Sequence, residues 1–221
     1  IVAGDGDSLS IGGNHTIHLL RRNFDVNVLL FNNQIYGLTK GQDSATADIG
    51  STSKGGSTNP YEPIDLVSVA LQLGATFVAR SFSGDKAQLV PLIKAALAHP
   101  GFALIDVVSP CVTFNNNVGS TKSYDYVREH IEATGKTDLV PEKSEILASY
   151  ESGTGTEVML HDGTFIKLEK LAANRDPFNR MEAMNALRDA RNRNEILTGL
   201  LFIDPETEDL HHTINSTDRP L

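Results

Sequence analysis

Residues 1–33, IVAGDGDSLSIGGNHTIHLLRRNFDVNVLLFNN, decide the fold. Two short apolar runs, residues 1–3 and 26–31, flank a segment of helical character at 11–23, and each run ends in turn-forming polar residues, Gly4-Asp5-Gly6-Asp7 and Asn32-Asn33. Strand, helix and strand within about thirty residues form a right-handed crossover unit, which makes the two strands parallel and neighbours or near neighbours. Residues 1–3 run straight into the glycine turn without a start Met, and read as the end of a buried strand whose beginning is missing.

Further along, apolar runs at 76–79 and 102–108 alternate with helix-like stretches at 64–73 and 86–99. This order predicts the α/β class: a parallel sheet with helices on both faces. The runs do not alternate with polar residues, as suits strands buried on both sides. Residues 32–61 interrupt the pattern with about thirty residues rich in Gly, Ser, Thr, Asp and Asn, and a loop that long in a compact domain is usually functional or disordered. Beyond Pro110 the style changes. Residues 123–134 read as a helix, 156–168 as a hairpin turning at His161-Asp162-Gly163, and 175–197 as an exposed charged helix. The expected division is a ligand-binding domain over 1–122 and an α+β carboxy-terminal extension over 123–221, packed on that domain or on another subunit.

The formal charge is −9, from 19 Lys and Arg against 28 Asp and Glu, and no basic run exceeds Arg21-Arg22. A nucleic-acid or anionic-membrane partner is therefore not expected. No stretch approaches the roughly 18 apolar residues of a membrane span, so a cytoplasmic protein is the expectation. The one cysteine, Cys111, cannot close an internal disulfide.

Chemistry collects where the strands end. Ligands of open parallel sheets bind at the carboxyl ends of strands, and a glycine turn leading into a helix suits a phosphate. On its own, Gly4-Asp5-Gly6 is a weak signal, and an ordinary tight turn with an Asp cap is the favoured reading. With the second strand ending in Asn32-Asn33, Asp5 and Asn33 can converge on one ion. A carboxylate, an amide oxygen, a backbone carbonyl and two phosphate oxygens make an ordinary Mg²⁺ shell.

GDG followed after 25 residues by NN resembles the thiamine-diphosphate fingerprint, and the strings GDGDSLSIGGNH and LLFNNQIYGLTKGQ resemble the beta subunit of 2-oxoacid:ferredoxin oxidoreductases, the 2-oxoglutarate type in particular. The resemblance runs from Ile1 to about Val118, with a looser echo in NEILTGLLFIDP. It implies the thiamine-diphosphate-binding fold, with Asp5, the Asn33 side chain and the Ile35 carbonyl on Mg²⁺. Gly4, Gly6, Asp7, Gly37, Leu38 and Thr39 would then surround the diphosphate. It further implies that Lys40 is catalytic, pairing with the substrate carboxylate, and that Cys111 ligates a [4Fe-4S] cluster whose other cysteines lie outside this sequence. The implied reaction is oxidative decarboxylation of a 2-oxoacid, with the acyl group passing to coenzyme A and electrons to ferredoxin, in a complex with an alpha subunit.

Two rivals remain. Non-oxidative thiamine enzymes of the decarboxylase or acetolactate-synthase kind share GDG and NN but have no use for Cys111 or for GLTKGQ. A non-catalytic nucleotide-binding module would want G-x-G-x-x-G, where this chain has Leu9. Other polar residues carry blander expectations: His15 and His18 as ordinary helix histidines, His211-His212 as surface, and Arg188, Arg191 and Arg193 as a solvated or subunit-facing face. Lys86 is a weak coenzyme A contact by the same resemblance.

Overall fold

The computed structural model describes residues 1–39, 41–52, 55–109, 146–160 and 165–214. Four strands form its parallel centre: β1 (Val2–Gly4), β2 (Asn27–Asn32), β5 (Phe77–Phe82) and β6 (Ala103–Val108). They lie in the order β1-β2-β6-β5, each pair parallel. Between β2 and β5 the long loop carries its own two-stranded ribbon, β3 (Ile35–Tyr36) against β4 (Gln42–Asp43).

Helices cover both faces, as the alternation predicted. On one face α1 (Gly13–Arg22) and α2 (Leu66–Gln72) pack with Val28, Leu30, Val78 and Leu104, and on the other α3 (Lys86–Ala98) packs Leu92 and Ala96 on Phe77, Ala103, Ile105 and Val107. Adjacent strand residues thus point into opposite layers. α3 starts where the Asp85 carboxylate accepts from Gln88 N at 3.1 Å, an N-cap. α1 stops at Asn23, which takes the left-handed conformation. The Asn23 side chain then ties the amino edge together, accepting from Phe102 N and Thr76 Oγ1 and donating to the Glu208 carbonyl.

The carboxy-terminal residues continue this sheet. β9 (Ile196–Ile203) joins antiparallel to β5, β8 (Phe165–Lys170) runs parallel to β9, and β7 (Gly155–Met159) pairs antiparallel with β8. The expected hairpin is present, while its turn at His161–Gly163, the helix expected at 123–134 and the boundary drawn at 122/123 lie outside the described residues.

Two expectations need correction. The helix expected over 175–197 is α4 (Arg180–Asn192), capped by Asn179 and stopped by Asn194 at φ 55°, after which residues from Ile196 form β9. It is not simply exposed: Ala183, Leu187 and Ala190, spaced 4 and 3 apart, are buried against the sheet. Residues 1–3 are not buried either. Among the described residues β1 pairs only with β2, and Val2 is 69% exposed.

Arg80 links two carboxylates, Asp106 inside the sheet and Asp65 at the start of α2. Arg80 on β5 donates through Nε to Asp106 Oδ2 at 2.7 Å and through Nη2 to Asp65 Oδ1 at 2.5 Å. Burial pushes the Asp106 carboxyl up, and Arg80 only partly opposes this. Burial also pushes Asp65 up, but the Arg80 charge and the Ser68 hydroxyl outweigh it and hold Asp65 below its usual range. Removing one partner of a buried pair strands the other charge, at a typical cost of about 3–5 kcal/mol. Arg80→Met is therefore expected to destabilise the protein by about 3–5 kcal/mol in urea unfolding; a loss under about 1 kcal/mol would contradict this account.

Candidate cofactor site

The register of β1 on β2 pairs Gly4 with Phe31, so the turn after β1 and the end of β2 leave the sheet side by side. Asn33 N points to Asp5 Oδ1 at 3.4 Å, a long contact across 28 residues of sequence. Asn33 Oδ1 accepts from Ile35 N at 3.1 Å, an Asx turn that lets Gln34 take φ 65° and starts β3. That bond uses one lone pair of the amide oxygen and leaves the other.

Asp5 is 1% exposed. An isolated buried carboxylate would be costly, and here the long loop supplies its partners. Ser44 Oγ and Thr46 Oγ1 both donate to Asp5 Oδ2, Thr46 at 2.5 Å. Thr46 Oγ1 also lies 3.1 Å from Asn32 Oδ1. A hydroxyl has one proton to give, and the shorter contact is the one to the carboxylate.

After Asp5 the chain winds into a π-helical turn, Gly6–Ile11, before α1. Such turns recur at functional sites because they redirect backbone groups. The Tyr36 hydroxyl donates to the Gly6 carbonyl at 3.1 Å, and its ring lies flush on Gly6, where an added Cβ would stand 2.5 Å from the ring. At Gly12 an added Cβ would meet the Asp7 carbonyl at 2.7 Å. Ser10 Oγ accepts from Ala45 N, a second tie between this turn and the loop.

The structure thus brings together Gly4, Asp5, Gly6, Asn33 and Ile35. Asp7 is exposed. Gly37, Leu38 and Thr39 form the turn after β3, where Leu38 is 98% exposed and Thr39 Oγ1 donates to Gln42 Oε1 at 2.6 Å. Lys40 and Cys111 lie outside the described residues. Ser109, the residue after β6, donates its N–H to the Asn32 carbonyl at 2.8 Å, so β6 ends at this same edge.

Among the described residues no group of three or more His, Cys, Asp and Glu side chains is placed to hold a metal ion. The donor set here is of a different kind: one carboxylate, one amide oxygen and nearby backbone carbonyls, all hard oxygens. Such a set is too small to enclose a cation unaided but fits Mg²⁺ shared with a diphosphate.

Residues 1–107 match the family of thiamine pyrophosphate enzymes at their C-terminal TPP binding domain. The chain is 47% identical over 133 residues to the 2-oxoglutarate oxidoreductase subunit KorB of Mycobacterium tuberculosis, covering 58% of this chain and 34% of that protein. It is 37% identical over 165 residues to the 2-oxoacid:ferredoxin oxidoreductase subunit beta of Saccharolobus solfataricus, covering 70% and 54%. Over these segments the chain is similar to beta subunits of 2-oxoacid:ferredoxin oxidoreductases. It spans between about a third and about half of the length of these two relatives. A solved structure of 2-oxoglutarate:ferredoxin oxidoreductase from Magnetococcus marinus, with 2-oxoglutarate, coenzyme A and succinyl-CoA bound, superposes with a TM-score of 0.69 at 29% identity, covering 96% of this chain and 58% of that one.

Several of the other polar residues singled out in the sequence hold structural partners. His212 Nδ1 contacts the Asp209 carboxylate at 2.9 Å, and the same carboxylate caps the short helix α5 (Leu210–Thr213). Arg191 pairs with Glu62, and Arg193 with Glu169 and Glu195, all near the surface where such pairs contribute little. Ser44, Thr46 and Tyr36 escaped sequence reasoning. Their partners lie 39, 41 and 30 residues away, and Ser or Thr in a polar loop carries no distinguishing signal.

Gly6→Ala is expected to drive the Tyr36 ring off the turn and break its bond to the Gly6 carbonyl. A loss of about 1–3 kcal/mol in urea unfolding is the expected result of such overpacking, and Gly6→Ala combined with Tyr36→Leu should recover part of it. An unchanged midpoint for Gly6→Ala alone would refute the close packing.

Proposed function

We propose that this chain is the thiamine-diphosphate-holding part of the beta subunit of a 2-oxoacid:ferredoxin oxidoreductase, with 2-oxoglutarate as the substrate favoured by the names of its relatives. The observation that carries the proposal is the meeting of Asp5 with Asn33 at the carboxyl edge of the sheet, inside the segment that matches the TPP-binding domain. Asp5, the Asn33 amide oxygen and the Ile35 carbonyl hold Mg²⁺. The π-helical turn from Gly6, with Asp7, and the Gly37-Leu38-Thr39 turn flank the diphosphate.

Bound there, thiamine diphosphate supplies the nucleophilic carbon and the sink for the electron pair that decarboxylation leaves behind. The chain's own residues fix the diphosphate end, and close packing of Tyr36 on Gly6 narrows the space beside it. Lys40 neutralises the substrate carboxylate and orients it. Cys111, three residues beyond β6 in the sequence, would be one thiolate ligand of a [4Fe-4S] cluster, which would supply single-electron transfer to ferredoxin, the remaining ligands coming from outside this sequence. Coenzyme A accepts the acyl group. An alpha subunit completes the site, and the complex is cytoplasmic. No helix among the described residues is long and apolar enough to cross a membrane. The non-oxidative rival gains nothing from a cysteine at position 111, and the relatives' names point to ferredoxin-linked chemistry.

The test is made in the complete complex. Asp5→Ala should lose Mg²⁺-dependent retention of thiamine diphosphate while keeping its iron, and Cys111→Ser should keep the cofactor but lose iron and 2-oxoacid-dependent viologen reduction. Retention of cofactor by Asp5→Ala, or of full iron and electron transfer by Cys111→Ser, would overturn the corresponding assignment. Lys40→Ala is expected to raise KM for 2-oxoacids at least tenfold with Mg²⁺ affinity little changed; an unchanged KM would return Lys40 to the solvated loop.

A further inference from the structure

The carboxylate that the proposed function assigns to Mg²⁺ does not stand alone. Asp5 Oδ2 receives two hydroxyls, from Ser44 and Thr46, both carried on the loop that follows β4. Asp5, Ser44 and Thr46 are 1%, 7% and 4% exposed, so no water competes for these bonds. The two hydroxyls are 3.0 Å apart and act as one clasp. They load a single oxygen. Among the described residues Oδ1 receives only the long 3.4 Å approach of Asn33 N, and is therefore the oxygen left for an ion. Asn32 Oδ1 lies 3.1 Å from Thr46 Oγ1, while Asn33 Oδ1 accepts only from Ile35 N among the described residues.

We propose that Ser44 and Thr46 are positioning residues, which hold the Asp5 carboxylate by Oδ2 so that Oδ1 faces the cation. This rests on the reading of Asp5 as a Mg²⁺ ligand. It assigns a chemical role to the polar loop 41–46: the loop locks the one anionic ligand before the diphosphate arrives. A clasped carboxylate has fewer orientations to lose on metal binding, and loss of such outer partners typically weakens metal affinity by about 10–100-fold.

The experiment measures Mg²⁺ affinity in the complete complex by calorimetric titration in the presence of thiamine diphosphate, and repeats it with Mn²⁺ followed by paramagnetic resonance. Thr46→Val keeps the shape and removes the hydroxyl, and Ser44→Ala removes the other. Each is expected to weaken Mg²⁺ and Mn²⁺ binding by about 10-fold or more, with the resonance of bound Mn²⁺ altered, while Thr46→Ser stays within about twofold of the parent. A merely structural role would lower the melting temperature in Thr46→Val and Thr46→Ser alike and leave the ion's resonance untouched. Asp5→Asn separates the two readings. If it leaves Mg²⁺ affinity unchanged, the cation site itself is misassigned. If Asp5→Asn abolishes binding while Thr46→Val and Ser44→Ala keep parental affinity, the clasp alone is wrong. Should Thr46→Val fail to fold, Ser44→Ala decides by the same criterion.

Discussion

Parallel pairing sends every strand of β1-β2-β6-β5 out of the same edge, and the register Gly4 to Phe31 to Val107 fixes which residues meet there. Asp5, Asn33 and Ser109 are each one residue past a strand end, so one set of backbone hydrogen bonds brings together segments about 28 and 76 residues apart in sequence. A slip of one residue would turn every side chain to the opposite layer and move Asp5 away from Asn33. The burial of Leu30, Leu104 and Val78 in one layer and of Ala103, Ile105 and Phe77 in the other resists that slip.

Burying charge so near the ligand edge is expensive, and the molecule meets that cost in two ways. Asp5 is held by the Ser44 and Thr46 hydroxyls and approached by the Asn33 N–H, neutral donors that leave its charge available to a cation. Asp106, two strands further in, is instead locked to Arg80, which also holds Asp65 just ahead of α2. The two carboxylates therefore have different uses: one is tied into an ion network within the core, the other is held in place but electrically open.

The carboxy-terminal segment finishes the sheet on the side away from the site. β9 runs against β5 and shifts register between Val78 and Ala79, where the ladder is irregular. Gly199, at φ 127°, allows this irregular stretch to pass close to Leu171. The added strands β8 and β7 and the helix α4 give the second apolar face of β5 and α2 something to bury against, which strengthens the framework that carries the site without entering it.

By itself the sequence determined the class of fold and the pair of residues that define the site. Period-2-free apolar runs, helical stretches between them, and polar residues at the run ends are local signals, and GDG and NN mark the two strand ends that a crossover must bring side by side. The start and stop of α4 and the fate of residues 196–203 were not legible, because an apolar stretch after a helix reads the same whether it extends the helix or enters a sheet. The hydroxyls that clasp Asp5 were decided by tertiary structure alone. Ser44 and Thr46 sit in a loop without period, and only the fold of that loop over the strand ends makes Asp5 their partner. Buried polar groups must find donors wherever the chain brings them, and a sequence records the residues but not the meeting.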